Sequence, residues 1–292
     1  MGYQIVAIGE VLWDCLPSGR KLGGAPANFA FHAQSLGADA RIISRVGDDA
    51  LGREILEQLQ KNGLSIQTIE VDEDAPTGTV EVAVDEQGQP SYTIWEGVAW
   101  DRIDASPLAL ATCASADAVC FGSLARRSEV SRRGIGGLVA ATGPGALRIF
   151  DVNLRPPFVD RGVIEDSLAL ANVLKLNHDE LDVLAGWFGL EGADARRVAG
   201  LAARFDLGAI ALTRGSSGSL IYRDGVVAEH PGTHARVVDT VGAGDAFTAV
   251  LTIGLLDAWS LDEINHRANL VAAFVCSREG ATPELPDGLI RA

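Results

Sequence analysis

A chain of 292 residues that is 47% hydrophobic and 22% charged has enough apolar material for one large α/β unit or two smaller domains, which excludes a disordered chain. Its formal charge of −15, from 24 basic and 39 acidic residues, argues against nucleic acid or an anionic membrane as the main partner. Phosphate ligands stay open, because backbone N–H groups, a few Arg or Lys side chains and Mg²⁺ can supply the local positive potential they need. Cys15, Cys113, Cys120 and Cys276 form no C-x-x-C pair and read as reduced residues. The apolar stretch Ile5 to Ile8 is short and soon followed by Glu10 and Asp14, unlike a secretory signal, and the run Ala246 to Leu256 is too short to span a bilayer. A cytoplasmic location is the expectation.

Short β-branched runs alternate with longer amphipathic segments, the pattern of a mostly parallel sheet with helices on both faces. The predicted strands, in chain order, are Ile5–Ile8, Arg41–Val46, Ala118–Phe121, Arg148–Val152, Val173–Leu176, Ala209–Thr213 and Ser219–Tyr222. Asp49–Asn62 is predicted helical, with Leu51, Ile55, Leu56 and Leu59 on one stripe and Gly63 as the stop. Asp262–Ser277 is a second predicted helix. Thr77–Val84 and Ser91–Trp95 interrupt the alternation as two strands joined by the turn Asp85-Glu86-Gln87-Gly88. An extra hairpin in an α/β chain suggests a lid with Trp95 and Trp100 at or just behind its end; an ordinary edge hairpin with surface tryptophans is the alternative. His230 and His234 have the spacing of a helical metal pair, but Pro231-Gly232 between them argues against a helix and for two surface residues. No repeat or linker splits the chain.

The most informative segment is Asp239-Thr240-Val241-Gly242-Ala243-Gly244-Asp245-Ala246-Phe247, which reads as a loop feeding a buried helix. Free N–H groups at a helix start attract anions, and glycines allow a phosphoryl group close to the backbone, so Gly242, Ala243 and Gly244 are a candidate anion hole. A carboxylate at Asp245, in the first turn, can accept the proton of an attacking hydroxyl while the N–H groups and Mg²⁺ stabilise the moving phosphoryl oxygens. The helix end should also lower the pKa of Asp245 and weaken it as a base. The local alternative is a tight turn in which Asp245 only complements the helix dipole. Neither G-x-x-x-x-G-K-[ST] nor, after the first strand, G-x-G-x-x-G occurs, so P-loop and dinucleotide-binding proteins are poor candidates.

Two motifs give the chain a wider resemblance. Gly23-Gly24-Ala25-Pro26-Ala27-Asn28 and Asp239 to Phe247 resemble the sugar-binding and catalytic signatures of the ribokinase-like PfkB carbohydrate kinases. Gly47-Asp48, Asp151-Val152-Asn153-Leu154-Arg155-Pro156, Asn177-His178-Asp179-Glu180 and Thr213-Arg214-Gly215 follow in the family's order, so the similarity spans nearly the whole chain. It implies a single three-layer α/β/α domain, Rossmann-like, over residues 1–292, with a small β-sheet lid contributed mainly by about 11–22 and 76–99. It also implies ATP and Mg²⁺ as cofactors, and phosphorylation of a sugar hydroxyl with Asp245 as base.

On that pattern Asp14, Gly23, Gly24 and Asn28 hold the sugar, and Arg155 faces the substrate or the transferring phosphate. A carboxylate accepts from hydroxyls, an amide both donates and accepts, and Gly24 lets the ring approach the backbone. Locally, Asp14 also reads as a turn residue, Asn28 as a helix N-terminal residue and Arg155 as a surface arginine. Asn177, Thr213, Arg214, Gly215 and Gly218, with Gly242 and Gly244, are implied at the nucleotide, and Asn269 and Ala273 at its adenine side. Glu180 is implied to reach Mg²⁺ through water, although Asn177 and Glu180 also have capping-box spacing. Asp239, Val241 and Ser277 match in part a family site for a monovalent cation such as K⁺. Within the family, Gly9 to Pro17 and Trp95 to Asp101 look most like bacterial fructokinases, with 2-keto-3-deoxygluconate kinase and ribokinase as rivals. A non-catalytic sugar- or nucleotide-binding module is the competing class. An exposed lid edge is open to β-augmentation, and a homodimer is the expectation that goes with it.

Overall fold

The alternation along the first strand sets the architecture. In β1 (Gln4–Ile8), Ile5 and Ala7 enter one core while Val6 and Ile8 enter another, and all four are fully buried. A strand apolar on both faces belongs inside a sheet covered by helices on each side. The computed structural model describes residues 2–17, 19–84, 90–286 and 288–289, so the predicted turn Asp85-Glu86-Gln87-Gly88 lies outside the described residues.

The chain continues through β2 (Leu12–Leu16), β3 (Gly19–Gly23), α1 (Ala25–Ser35), β4 (Asp39–Gly47), α2 (Ala50–Lys61), β5 (Ile69–Asp72), β6 (Thr79–Val84) and β7 (Pro90–Ile94). It then runs through α3 (Pro107–Ala114), β8 (Ala118–Gly122), α4 (Glu129–Ala140), β9 (Leu147–Asp151), α5 (Arg161–Leu170), β10 (Val173–Asn177), α6 (His178–Phe188) and α7 (Asp194–Phe205). The last elements are β11 (Ala209–Thr213), β12 (Ser219–Arg223), β13 (Val226–His230), α8 (Ala243–Leu256) and α9 (Leu261–Cys276).

Among the described residues, the large sheet has the order β13-β12-β11-β10-β9-β8-β1-β4-β5, with parallel pairing from β5 to β11 and an antiparallel edge at β12 and β13. Helices α1, α2, α8 and α9 pack on one face and α3 to α7 on the other, giving the three α/β/α layers. The strands expected from β-branched runs are all present. The short edge strands β5 and β13, each partly open to solvent, are the ones the periodicity does not single out. The predicted helix at Asp49–Asn62 is α2: Asp49 Oδ1 accepts from Gly52 N–H at 2.7 Å as its N-cap, Asn62 is its C-cap, and Ile55 and Leu59 are its fully buried apolar pair. Among the described residues no helix is long and apolar enough to cross a membrane, and the four cysteines are free.

A second, four-stranded sheet has the order β3-β2-β6-β7. Four chain segments join it to the rest of the molecule: Gly9-Glu10-Val11 leads out of β1 and Gly24 leads back into α1 at one end of the large sheet, while the other two run from β5 into β6 and out of β7. Trp95, behind its last strand, is 49% exposed, but Trp100 is 0% exposed and belongs to the main core rather than to a lid surface. Gly78 makes room for it, since a Cβ there would stand 2.2 Å from Trp100 Nε1.

The small sheet is clasped where β7 runs back into the main body. The Arg127 guanidinium lies between the rings of Trp100, 4.0 Å away, and Phe158, 4.4 Å away. Its Nε donates to Asp101 Oδ1 at 2.8 Å, Nη2 donates to Asp101 Oδ2 at 3.0 Å, and Nη2 also donates to the Trp95 carbonyl. Asp101 in turn accepts from Gly97 N–H at 2.9 Å. Both charged side chains are under 10% exposed, at 6% and 8%, so removing one leaves the other charge buried and unpaired. Arg127→Met is therefore expected to lower unfolding free energy by about 3–5 kcal/mol in urea titrations. A loss under about 1 kcal/mol would show that the clasp is replaceable by packing alone.

Candidate active site

The topology itself places a cleft. From β1 the chain moves to β4 and β5 on one side, then crosses to β8 on the other, so the carboxyl ends of β1 and β8 form the switch point where open α/β sheets bind ligands. A small cleft opens there, lined by Glu10 after β1, Phe121 and Gly122 of β8, Asp151 and Asn153 at the end of β9, Phe29 of α1 and Asp245 of α8.

The glycine-rich turn becomes the start of α8. Gly242 is its N-cap at φ +80°, a left-handed conformation that glycine adopts without strain, and a Cβ there would lie 2.3 Å from the Ala281 carbonyl oxygen. Ala243 N–H reaches Thr240 O at 3.4 Å, and the helix ladder closes only at Ala246 N–H to Gly242 O, 2.9 Å. The first-turn N–H groups of Gly244 and Asp245 stand outside that ladder, as an anion hole requires. His32, fully buried in α1, braces the turn from behind: its Nε2 lies 2.9 Å from the Ala281 carbonyl, which fixes the proton on that nitrogen. Burial lowers the imidazole pKa to about 4, so the ring stays neutral.

Asp245 faces the cleft from that first turn, and Asn28 Nδ2 donates to its Oδ2 at 2.9 Å. Its pKa is raised to about 6, by burial first and then by the Asp151 carboxylate, while Asn28, Lys175 and Arg155 oppose the rise. This reverses the sequence expectation of a pKa lowered by the helix end: the loss of water outweighs the dipole. Asp151 is itself shared. Lys175 Nζ donates to its Oδ1 at 3.0 Å, and Thr248 Oγ1, one turn into α8, donates to its Oδ2 at 2.9 Å. Lys175 projects from β10 so close beneath the turn that a Cβ on Gly244 would stand 3.0 Å from its Nζ.

Other residues predicted at the sugar side converge on the same end of the sheet. Asp14 is on β2, paired with Lys21 of β3, and its carboxylate leans over Gly23, where a Cβ would come within 2.3 Å of Asp14 Oδ2. Gly24, at φ +110°, presses against the Glu10 carbonyl oxygen, 2.4 Å from where its Cβ would be. Asn28 is in the first helical turn, as the local alternative had it, and its side chain nevertheless reaches Asp245. Arg155 is exposed, and its charge holds down the carboxyls of Asp245, Glu10 and Asp14, so it stands near all three.

Residues predicted at the nucleotide side divide. Asn177 and Thr213 are neighbours at the carboxyl ends of β10 and β11, and Gly215 and Gly218 bound the turn that follows. Arg214 is engaged at that turn, with Nη2 2.9 Å from Glu229 and 3.2 Å from the Ser219 carbonyl. Asn269 is buried, its amide donating to Ser219 Oγ at 2.6 Å and to Asn265 O at 2.7 Å, whereas Ala273 is half-buried one turn further on. Glu180 forms the capping box with Asn177: its Oε2 accepts from Asn177 N–H at 2.8 Å, and its Oε1 accepts from Leu154 N–H at 2.9 Å. Both oxygens already have a donor, which suits contact with an ion through water rather than direct ligation. Asp239 binds Val241 N–H and Gly280 N–H, each at 3.1 Å, and Ser277 Oγ donates to Phe274 O at 2.7 Å. His230 is a half-buried β13 residue and His234 is exposed.

Sequence reasoning missed Glu10, His32 and Lys175. Lys175 left a signal, a lysine inside the apolar run Val173-Leu174-Lys175-Leu176, and a charge in a central strand needs a buried partner.

Known proteins resemble this chain in sequence and fold. The profile of the pfkB family carbohydrate kinases matches residues 18–288. A fructokinase from Klebsiella pneumoniae is 33% identical over 303 residues, covering 98% of this chain and 97% of its own. A sugar kinase of Pyrococcus horikoshii is 31% identical over 298 residues, covering 95% of this chain and 91% of its own. The solved structure of that kinase in complex with ATP superimposes with a TM-score of 0.83 at 29% identity, covering 95% of this chain and 94% of its own. With a match over nearly its whole length, the chain belongs to the pfkB family of carbohydrate kinases.

Proposed function

We propose that the chain transfers the γ-phosphoryl group of ATP to D-fructose, giving fructose 6-phosphate. The observation that carries the kinase reading is Asp245, partly buried in the first turn of α8, held by Asn28 at 2.9 Å and set beside N–H groups free of the helix ladder. Asp245 takes the proton of the attacking hydroxyl, the new P–O bond forms as the bond to the β-phosphate oxygen breaks, and ADP leaves. The turn Gly242-Ala243-Gly244 receives charge on the equatorial oxygens, and Arg155 adds positive potential from the open side. With its pKa raised to about 6, Asp245 is mostly ionised at neutral pH and is a better base than an ordinary aspartate.

Asp14, Gly23, Gly24 and Asn28 are assigned to the sugar, and Asn177, Thr213, Arg214, Gly215, Gly218, Asn269 and Ala273 to the nucleotide. Mg²⁺ bound to the nucleotide neutralises phosphate charge, and Glu180 is assigned to its water shell. Fructose is favoured by the Klebsiella pneumoniae fructokinase, matched over 98% of the chain. The test is turnover of ATP with Mg²⁺ against fructose, ribose and 2-keto-3-deoxygluconate. A dominant signal with either of the last two replaces the substrate and keeps the mechanism. Sugar binding without turnover favours a non-catalytic module.

Asp245→Asn is expected to lower kcat by about 10²–10⁴-fold with ATP affinity little changed. Near-normal turnover would remove Asp245 from the role of base. The pH dependence tests its environment. Activity needs the ionised carboxylate, so kcat/KM for the sugar should fall as pH drops through about 6. Asp151→Asn removes a charge that raises this pKa and frees Lys175 to lower it, and both effects carry the acid limb to lower pH. An unmoved limb would assign it to another group.

A further inference from the structure

Glu10 sits on the segment joining β1 to β2 and is 3% exposed, yet its Oε2 is buried without any hydrogen-bond donor. The backbone N–H groups of Glu10 itself and of Ala25, the first residue of α1, face the carboxyl and favour its ionised form. A helix cap needs only one of the two oxygens. A buried carboxylate oxygen that no protein group pairs is costly, so this oxygen is placed to accept from a donor outside the chain.

The orphan's surroundings say what the donor is. Glu10 lines the cleft with Asp151 and Asp245, while Phe29 and Phe121 supply apolar wall. Lys175 projects beneath the turn and is spent on Asp151, and Arg155 is the cation that reaches Glu10 and Asp245 from outside. The carboxyl-lined side of the cleft, with its aromatic rings, suits an acceptor with several O–H donors and a C–H face and disfavours an acceptor carrying its own carboxylate or phosphate there. The position is rigid: Gly24 presses on the Glu10 carbonyl, and Pro26 packs against Gly9, where a Cβ would be 2.8 Å from Pro26 Cγ.

Resting on the kinase reading above, we propose that Glu10 is an acceptor-binding residue whose Oε2 receives a sugar hydroxyl, and that the carboxyl lining selects neutral, hydroxyl-rich acceptors over sugar acids and sugar phosphates. Burial raises the Glu10 pKa to about 7, so near neutrality the carboxyl can both accept from and donate to hydroxyls.

The test uses the full chain with Glu10→Gln, which keeps an acceptor for Ala25 N–H, and Glu10→Asp, which keeps the charge but withdraws it. Calorimetry reads the affinity of wild type and variants for fructose, 2-keto-3-deoxygluconate, fructose 6-phosphate and ATP, with melting temperature as the control for folding. Wild type should bind fructose in preference to both anionic sugars. Both variants should lose about 10- to 100-fold in fructose affinity, with ATP affinity and melting temperature unchanged, and Glu10→Gln should narrow the gap to the anionic sugars. Folded variants that keep fructose affinity and preference overturn the proposal alone, as does a wild type that binds the sugar acid as tightly as fructose. A wild type that binds no sugar of the panel overturns the kinase reading with it.

Discussion

The buried carboxylate of Asp151 is the constraint on which the functional end of the molecule depends. It ends β9, takes Lys175 Nζ from β10 at 3.0 Å and takes Thr248 Oγ1 from α8 at 2.9 Å. Three separate elements are thereby referred to one pair of oxygen atoms. The helix that presents the N–H groups and Asp245 is fixed against the carboxyl edge of the sheet, not merely packed near it. A buried ion pair is weak evidence for stability, because removing both charges from water offsets much of their attraction. Its contribution here is position and potential. Burial raises the pKa of Asp245 most and the Asp151 carboxylate adds to the rise, while Asn28, Lys175 and Arg155 restrain it, and the result is a group that ionises at about 6 rather than 3.8. That change corresponds to about 3 kcal/mol of destabilisation of the ionised form, which is recovered when the carboxylate accepts a proton.

Two opposite fields meet within one cleft. On one side, N–H groups at the start of α8 favour anions, and Lys175 beneath them adds a cation. On the other, Glu10, Asp14 and Asp245 are carboxyls whose pKa values burial raises, the state expected when several acids share little water. A chain of formal charge −15 is therefore not at odds with a polyanionic ligand. The distribution matters, not the sum. Phosphate oxygens suit the N–H side and hydroxyls suit the carboxyl side, which is the arrangement that transfer from a nucleotide to an alcohol requires.

The fold was legible because the signals that specify it are local. Two-sided apolar strands such as Ile5–Ile8 and one-sided helices such as Ala50–Lys61 carry their period in their own residues. The turn from Asp239 to Asp245 was legible for a related reason: glycines at a helix start have few other uses. What stayed hidden depends on distant partners. His32 acts through a carbonyl 249 positions away, and Lys175 through a carboxylate 24 positions away. The pKa of Asp245 went opposite to expectation because burial is a property of the folded cleft, whereas the helix end could be read from sequence. Trp100 looked like part of a lid because it follows the hairpin, yet Arg127, 27 residues on, holds it in the main core. Asn177 with Glu180 is the converse case. The capping box read from spacing forms as expected, and the same carboxyl also reaches Leu154 beside Arg155, so a structural motif links the nucleotide-side strand to the loop on the sugar side.

Two of the joints of the small sheet lie beside the cleft. Glu10 stands in the outgoing joint, while Gly24 is the incoming joint and touches the Glu10 carbonyl. The Asp14 carboxylate lies over Gly23 on the strands just beyond. Groups assigned to the sugar thus stand at two of the places where the small sheet meets the large one, while the Arg127 clasp holds the exit from β7. A shift of the small sheet moves Asp14 directly and bears on the Glu10 backbone, whereas Asp245 and its turn are held from behind by Asp151, His32 and Ala281. On the proposed roles, the side assigned to the sugar is the one tied to the small sheet, and the side assigned to phosphate is the one tied to the large sheet. That division suits a family in which the phosphoryl donor's geometry must be kept while the hydroxyl-bearing partner differs from one member to the next.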